Sequence, residues 1–390
     1  MNSLIVVCLF LFTTWFPPLA TPSGSVVIRS LDRHSGDVAW SPDGEWIAYS
    51  KTNTDGDCYK DIWIVHPDAT GHRCLSSRWT KKKSFPHRQA GGVTWHVSGD
   101  YLVFVAQNND AVGKRLEELA TPGTGLNCNL WLTSVDDSRV WQLTFYETST
   151  TRPRGVIHPQ FSPDGRTLVW AEALGKYPKG DAKVYQWGKW AIKSAELEWR
   201  KNGPVLKNIR KYCPGRQKVF YETHGFSPDG SKILYCANSM QGQPLNGIDI
   251  WSLDLQNGRS RRLTRTRSDW DEHAHYSPDG SMIAWASGAG FDVEFPTLRS
   301  PDWKQYVQLD VWAMNADGSG MRRITFFNED GHPDSEWFRN TVYDSPRIVV
   351  SDSDWSPDGQ SLVLTLAYEG PDKAMGSFLL LIDMAERLAR

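Results

Sequence analysis

The sequence predicts an all-β fold, a six-bladed β-propeller of four-stranded antiparallel blades closed by its N-terminal strand, and three observations predict it. Ser-Pro-Asp-Gly occurs five times, at 41–44, 162–165, 227–230, 277–280 and 356–359. Each copy has an aromatic residue before it and a short apolar run after it. Two further strand motifs recur between the copies. Self-similarity of this kind marks an array of equivalent supersecondary units.

In each turn, Pro presets φ at the first central position, Asp bonds its own backbone and Gly accepts the positive φ that closes a tight hairpin. The runs that follow are strands in composition and length: Trp46-Ile47-Ala48-Tyr49, Thr167-Leu168-Val169-Trp170, Lys232-Ile233-Leu234-Tyr235, Met282-Ile283-Ala284-Trp285 and Leu362-Val363-Leu364. Aligning these flanks exposes a sixth, degenerate copy, Trp95-His96-Val97-Ser98-Gly99, followed by Tyr101-Leu102-Val103-Phe104. A third strand recurs as Asp61-Ile62-Trp63, Asn129-Leu130-Trp131, Asp249-Ile250-Trp251 and Asp310-Val311-Trp312. A fourth recurs as Arg73-Cys74-Leu75, Gln142-Leu143-Thr144, Arg262-Leu263-Thr264 and Arg323-Ile324-Thr325. Each unit is therefore a four-stranded meander, and six of them arranged radially make a propeller. The last unit stops after a third strand at Phe378 to Ile382, while Val26-Val27-Ile28 precedes the first turn without a partner. With Val26 to Leu31 as the outer strand of the sixth blade, one domain from 25 to 390 closes on itself and loses an aggregation-prone edge.

The Ser-Pro-Asp-Gly hairpins, Asp-Ile-Trp strands and Arg-Leu-Thr strands resemble the PD40 (WD40-like) repeats of TolB-like propellers from about residue 25 onwards. The resemblance implies the fold more than a function, because similar propellers serve in translocation proteins, prolyl peptidases and carbohydrate lyases. A TolB protein would carry an α/β domain before its propeller; none is seen here, so its translocation role is not implied whole.

The repeats fill the 390 residues with one domain. A net charge of -2 and a pI near 6.6 leave no electrostatic footprint for nucleic acid. Lys81-Lys82-Lys83 reads as a solvated loop. Residues 1–20 read as a secretory signal peptide: Leu4 to Phe16 is apolar and Pro17-Pro18-Leu19-Ala20 ends on a small residue. The mature protein is then expected in the periplasm or outside the cell, as a monomer with no membrane span. Cys8 leaves with that segment, and Cys58, Cys74, Cys128, Cys213 and Cys236 remain. An oxidising compartment admits Cys58–Cys74 and Cys213–Cys236 disulfides; buried free thiols are the other reading. No zinc ribbon, haem-attachment motif, nucleotide loop, HExxH or G-x-S-x-G elbow is present.

Every spacing between successive turns exceeds the roughly 40–45 residues of a minimal blade. The excess falls at 108–128, 174–186 and 288–308, between second and third strands, and at 328–348, between blades. In a meander both connection types emerge on the face opposite the turns. That face is read as the working face, since loops on a rigid scaffold carry binding residues. Inner strands enter from it bearing His158 and Gln160, then Glu222 and His224, then Glu272, His273 and His275, then Asp352 and Asp354. Alternation along a strand pairs His273 with His275 and Asp352 with Asp354. Imidazole and carboxylate suit Zn, Mn or Fe, or proton transfer near neutral pH; polar channel residues that only tie blades together are the competing reading.

His158-Pro159-Gln160-Phe161-Ser162-Pro163 and His273-Ala274-His275 also resemble the channel histidines of the oligogalacturonate lyase family, whose propeller holds a divalent metal. That resemblance implies His158, Gln160, His224, His273 and His275 as metal positions, with Mn, Zn or Ca as the cation. It leaves the base beside the uronate carboxyl without a candidate. Of nineteen tryptophans, Trp40, Trp95 and Trp355 before the turns, Trp63, Trp131, Trp251 and Trp312 in third strands, and Trp46, Trp170 and Trp285 in second strands are packing residues. Trp187, Trp270, Trp303 and Trp337 fall in or near working-face loops, where a ligand could meet them. Glu222, Glu272, Asp352, Asp354, Trp270, Trp303 and Trp337 are the candidate ligand-binding residues. The sequence reading is of an exported propeller binding a protein or carbohydrate partner, non-catalytic, with a metal-dependent polysaccharide lyase as the alternative.

Overall fold

A computed structural model describes residues 27–389 apart from 54–58, 77–88, 112–119, 176–188, 216–218, 245, 267, 293–305 and 372–373. The expected signal segment, Cys58, Lys81 to Lys83, Trp187 and Trp303 lie outside the described residues. The strands form six four-stranded antiparallel sheets. Blade one is β2 (Ser35–Trp40), β3 (Ile47–Thr52), β4 (Lys60–Val65) and β5 (Arg73–Cys74). Blade two is β6 (Ala90–Trp95), β7 (Tyr101–Gln107), β8 (Cys128–Ser134) and β9 (Val140–Gln142). Blade three is β10 (Arg154–Phe161), β11 (Thr167–Leu174), β12 (Trp190–Arg200) and β13 (Gly203–Tyr212). Blade four is β14 (Tyr221–Phe226), β15 (Lys232–Ala237), β16 (Asp249–Asp254) and β17 (Ser260–Arg262), and blade five is β18 (Asp271–Tyr276), β19 (Met282–Ser287), β20 (Asp310–Asn315) and β21 (Arg322–Arg323). Blade six is β22 (Ile348–Trp355), β23 (Ser361–Glu369) and β24 (Met375–Asp383), completed by β1 (Ile28–Arg33). Ring closure by the N-terminal strand is thus observed, with Ile28 opposite Ile382 and Arg33 opposite Phe378.

The five turns share one hydrogen-bond network. The Ser hydroxyl donates to the Asp carboxylate at 2.5–2.6 Å. The same carboxylate accepts the amide two residues on at 3.0 Å. The Ser oxygen accepts the amide five residues on at 2.8–3.0 Å. These bonds hold the turn aspartates below the usual carboxylate pKa, the serine bond first. Each turn also packs on the next. A Cβ at Gly230 would lie 3.5 Å from Pro163, at Gly280 3.3 Å from Pro228, and at Gly359 3.6 Å from Pro278. The repeated tetrapeptide therefore closes hairpins and links blades around one face.

The third-strand acid and fourth-strand Thr are structural partners. Leu130, Ile250 and Val311 amides donate to Thr144, Thr264 and Thr325 at 2.8–2.9 Å. Fully buried Asp249 and Asp310 pair with Arg262 and Arg323 at 2.7 Å, which avoids the several kcal/mol that an unpaired buried charge would cost. Blade three departs from this: β12 and β13, unmarked by the strand motifs, form a long hairpin whose Trp199 meets Tyr101 at 4.6 Å and Trp141 at 5.6 Å. The connection from β21 to β22 carries α1 (Pro333–Thr341), and α2 (Met384–Leu388) follows β24. Arg387 of α2 reaches both oxygens of buried Asp334 at 2.7 and 2.9 Å.

The Cys213–Cys236 disulfide is not formed. Cys213 is exposed and Cys236 is buried, both free, because Cys236 faces inward from β15 to donate to Glu222. Among the described residues no helix is long and apolar enough to cross a membrane.

Candidate metal and ligand site at the channel mouth

Every inner strand carries a register shift: Gly36/Val38, Gly91/Thr94, Ile157/Gln160, Thr223/Phe226, Glu272/His275 and Val350/Asp352. A bulge re-aims the side chain at its extra residue. Counted back four residues from the first residue of the turn, Asp37, Gly92, His158 and His273 have φ of 40°, 59°, 50° and 53°. In blade four the shift falls one residue later, at His224. Thr223, at the vacated position, donates to the His158 carbonyl at 2.6 Å and ties blade four to blade three.

These bulges bring three imidazoles together. Ring centroids are 5.1 Å apart for His158 and His273, 5.4 Å for His224 and His273, and 5.8 Å for His158 and His224. One ligand atom from each of the three lies within 4.8 Å of the others. Two more sets meet the same spacing, Glu222 with Glu272 and His273, and Glu222 with His224 and Cys236. Asp352 stands 3.4 Å from His273 Nδ1, and Glu272 3.6 Å from its Nε2.

His158, His273, Glu222 and Glu272 of this cluster line a cavity of about 500 Å³, a size usual for small-molecule sites. Its lining includes Asp37, Lys60, His158, Glu222, Glu272 and His273. Thr124 and Val307, from connections opposite the turns, and Met375, the first residue of β24, also line it, so the cavity sits on the loop-bearing face.

Burial, with the charge of His273, pushes His158 down to about 4. Burial holds His224 far below the ordinary imidazole range. Both rings therefore offer lone pairs at neutral pH, as metal ligation requires. At His273 burial acts downward but is outweighed by Glu272 and Asp352, which raise it to about 10. Burial and Glu272 push Glu222 up to about 8.

Of the sequence-predicted metal residues, His158, His224 and His273 converge. Gln160 lies beyond the bulge opposite Val169. The bulge at His273 breaks the alternation that would have paired it with His275; the His275 ring centroid lies 6.4 Å from that of His224, and its Nδ1 3.8 Å from Asp354. Asp354 accepts the Trp40 amide at 2.8 Å and Asp352 the Val38 amide at 3.0 Å, so both stitch blade six to blade one. Trp270, Glu222 and Glu272 line the cavity, whereas Trp337 packs edge-on against Phe378 at 6.4 Å and does not. Trp303 lies outside the described residues. Asp37 and Cys236 belong to the site without having been singled out. Asp37 was findable by counting back from the turn as for His158; Cys236 follows only from the register that sets it opposite Glu222.

No protein-family model matches the chain. An uncharacterized protein of Agrobacterium fabrum is 31% identical over 102 residues, 26% of this chain and 27% of that protein. Dipeptidyl-peptidase 5 of Porphyromonas endodontalis is 20% identical over 282 residues, 65% of this chain and 36% of the peptidase. The chain thus spans about a third or less of the length of these curated relatives. Among solved structures, an oligogalacturonate lyase in complex with manganese aligns with TM-score 0.47 and 13% identity over 91% of this chain and 90% of that one. A gluconolactonase from Xanthomonas campestris aligns with TM-score 0.49 and 12% identity over 92% and 90%. The fold assignment rests on the six sheets themselves.

Proposed function

We propose that this is an exported propeller of the TolB-like, PD40-repeat type, whose loop-bearing face binds a carbohydrate or other hydroxyl- and carboxyl-rich ligand through a divalent cation. One observation carries the reading: imidazoles from blades three, four and five lie within ligand distance of one another beneath a cavity of small-molecule size. His158, His224 and His273 would hold the cation, with Glu222 or Glu272 completing the donor set. The donor chemistry suits such an ion, since imidazole and carboxylate bind divalent transition metals; His158 and His224 are neutral already, and His273, held protonated by its carboxylate neighbours, would give up its proton to the ion. Bound there, the cation would supply Lewis-acid polarisation of a ligand oxygen. It would also offset the negative charge that Asp352 and its neighbouring carboxyls present to an acidic ligand. Export rests on the apolar stretch Leu4 to Phe16 and its small-residue end.

A catalytic reading, the metal-dependent lyase, is favoured by Glu222. Its carboxyl, held up to about 8 and 3.9 Å from His158, is of the kind that exchanges protons near neutral pH.

Elemental analysis of the purified full chain should find a stoichiometric divalent metal, lost from the His158→Ala, His273→Ala double variant. Titration calorimetry with oligogalacturonate should show binding that a chelator abolishes, and the ultraviolet absorbance of an unsaturated uronide would separate lyase from binder. A metal-free protein whose ligand binding survives the double variant would sink the metal reading.

A further inference from the structure

Cys236 is the ligand-type residue of the cluster that the function above does not use. It stands on β15 directly opposite Glu222 on β14, is fully buried, and its Sγ lies 3.4 Å from Glu222 Oε2. Sγ, a Glu222 oxygen and a His224 nitrogen lie within 4.8 Å of one another. Donors about 2.0–2.3 Å from a tetrahedral cation end up about 3.5 Å apart, so this spread closes with side-chain adjustments of about 1 Å.

A buried cysteine in a strand is ordinarily a small apolar filler. Blade five supplies the internal comparison, because Glu272, at the position of Glu222, is opposite Ala286. Alanine thus satisfies the same sheet position beside the same acid. The thiol is not required by blade packing, and it points at two ligand-type side chains.

We propose that Cys236 ligates the cation together with Glu222 and His224, which makes the centre selective for thiophilic metals of the Zn²⁺ and Co²⁺ kind over Ca²⁺ or Mn²⁺. Soft thiolate sharpens a preference that imidazole already leans towards, whereas an all-oxygen set favours Ca²⁺ or Mn²⁺. On binding, the S–H bond breaks, a metal–sulfur bond forms, and the proton leaves to solvent. The inference rests on the histidine centre proposed above, and the test separates the two.

Cobalt(II) titrated into the full chain should give visible ligand-field bands and a near-ultraviolet thiolate-to-cobalt charge-transfer band. Cys236→Ser should lose the charge-transfer band, keep the ligand-field bands and weaken Zn²⁺ binding on the order of tenfold or more. Cys213→Ser, removing the exposed thiol, should change neither. Ligand-field bands without charge transfer in the native chain would overturn the thiolate and leave the histidine centre standing. No cobalt signal at all would overturn the histidine centre, and the thiolate with it. X-ray absorption of the zinc-loaded Cys213→Ser chain is a second readout: sulfur in the first coordination sphere that Cys236→Ser removes supports the proposal, and nitrogen and oxygen alone refute it.

Discussion

At the scale of single residues, the centre depends on histidines held in a backbone region that side-chain-bearing residues seldom occupy. His158 and His273 have φ of 50° and 53°, and non-glycine residues there store about 1–3 kcal/mol. Blade two has Gly92 at the equivalent position, φ 59°, where the strain vanishes. His158→Gly and His158→Ala both remove the ring, so only the backbone separates them. The glycine variant should melt later, by about 1 kcal/mol in denaturant titration; equal stabilities would contradict the left-handed bulge. A second single-residue effect lies at His96, which replaces the turn serine in the degenerate repeat. Its ring bonds the Gly165 carbonyl at 3.1 Å and packs edge-on to Phe161 at 5.0 Å. Burial, partly opposed by the Gly165 bond, lowers its protonation constant below the ordinary 6.5. A folded-state value below the unfolded one means that the unfolded chain binds more protons in that window, so stability falls as pH drops from above 6.5. His96→Ser should therefore show a smaller loss of melting temperature than wild type between about pH 7.5 and about pH 5. An unchanged loss would mean that the ring binds its proton equally in the folded and unfolded chain, against the burial argument.

At the scale of elements, the turns and the strands after them were legible because their chemistry is local: proline, aspartate and glycine act within four residues. The inner-strand bulges were not, because they arise from how one strand's residues distribute against its partner. That is why His158, His224 and His273 were legible as candidates while the way they converge, and the place of Cys236 beside Glu222, were not. The hairpin of β12 and β13 lacks the acid–Thr tether of its neighbours, so the strand motifs did not mark it. The α2 helix shows how a short element is held by a single residue. Arg387 donates to Asp334 and to the Ile324 carbonyl, at 2.7–2.9 Å, with both side chains buried. Arg387→Met leaves Asp334 buried with its cation gone, a loss of about 3–5 kcal/mol. The exposed Arg339, which pairs with Asp330, Glu336 and Asp344, is the control. Arg339→Ala should scarcely move the denaturant midpoint, since surface pairs contribute little. If the two variants melted alike, the α1–α2 clasp would not be a structural element.

At the scale of the whole molecule, the sequence carried the blade number, the strand order and the face bearing the insertions, all from counting repeats. Closure was legible too, although the strand begins two residues later than expected, at Ile28. Its consequence is testable because a propeller's stability is a sum of nearest-neighbour interfaces that a closed ring satisfies at every blade. β1 pairs with β24 from Ile28 opposite Ile382 to Arg33 opposite Phe378, and Leu31 is buried in the core shared with blade one. Removing residues up to 33 would uncover the backbone edge of β24, where Phe378-Leu379-Leu380-Leu381-Ile382 is an apolar run of the kind that recruits other chains. The shortened chain should elute as concentration-dependent oligomers in size-exclusion chromatography and melt at a lower temperature with a broader transition. Leu31→Asp tests the same seam without deleting backbone: it keeps the β1 ladder but charges its buried face, and should lower the melt while leaving the protein monomeric. A monomeric, sharply melting shortened chain would show that the ring does not depend on the seam, and that the five blades built from contiguous sequence hold the channel mouth by themselves.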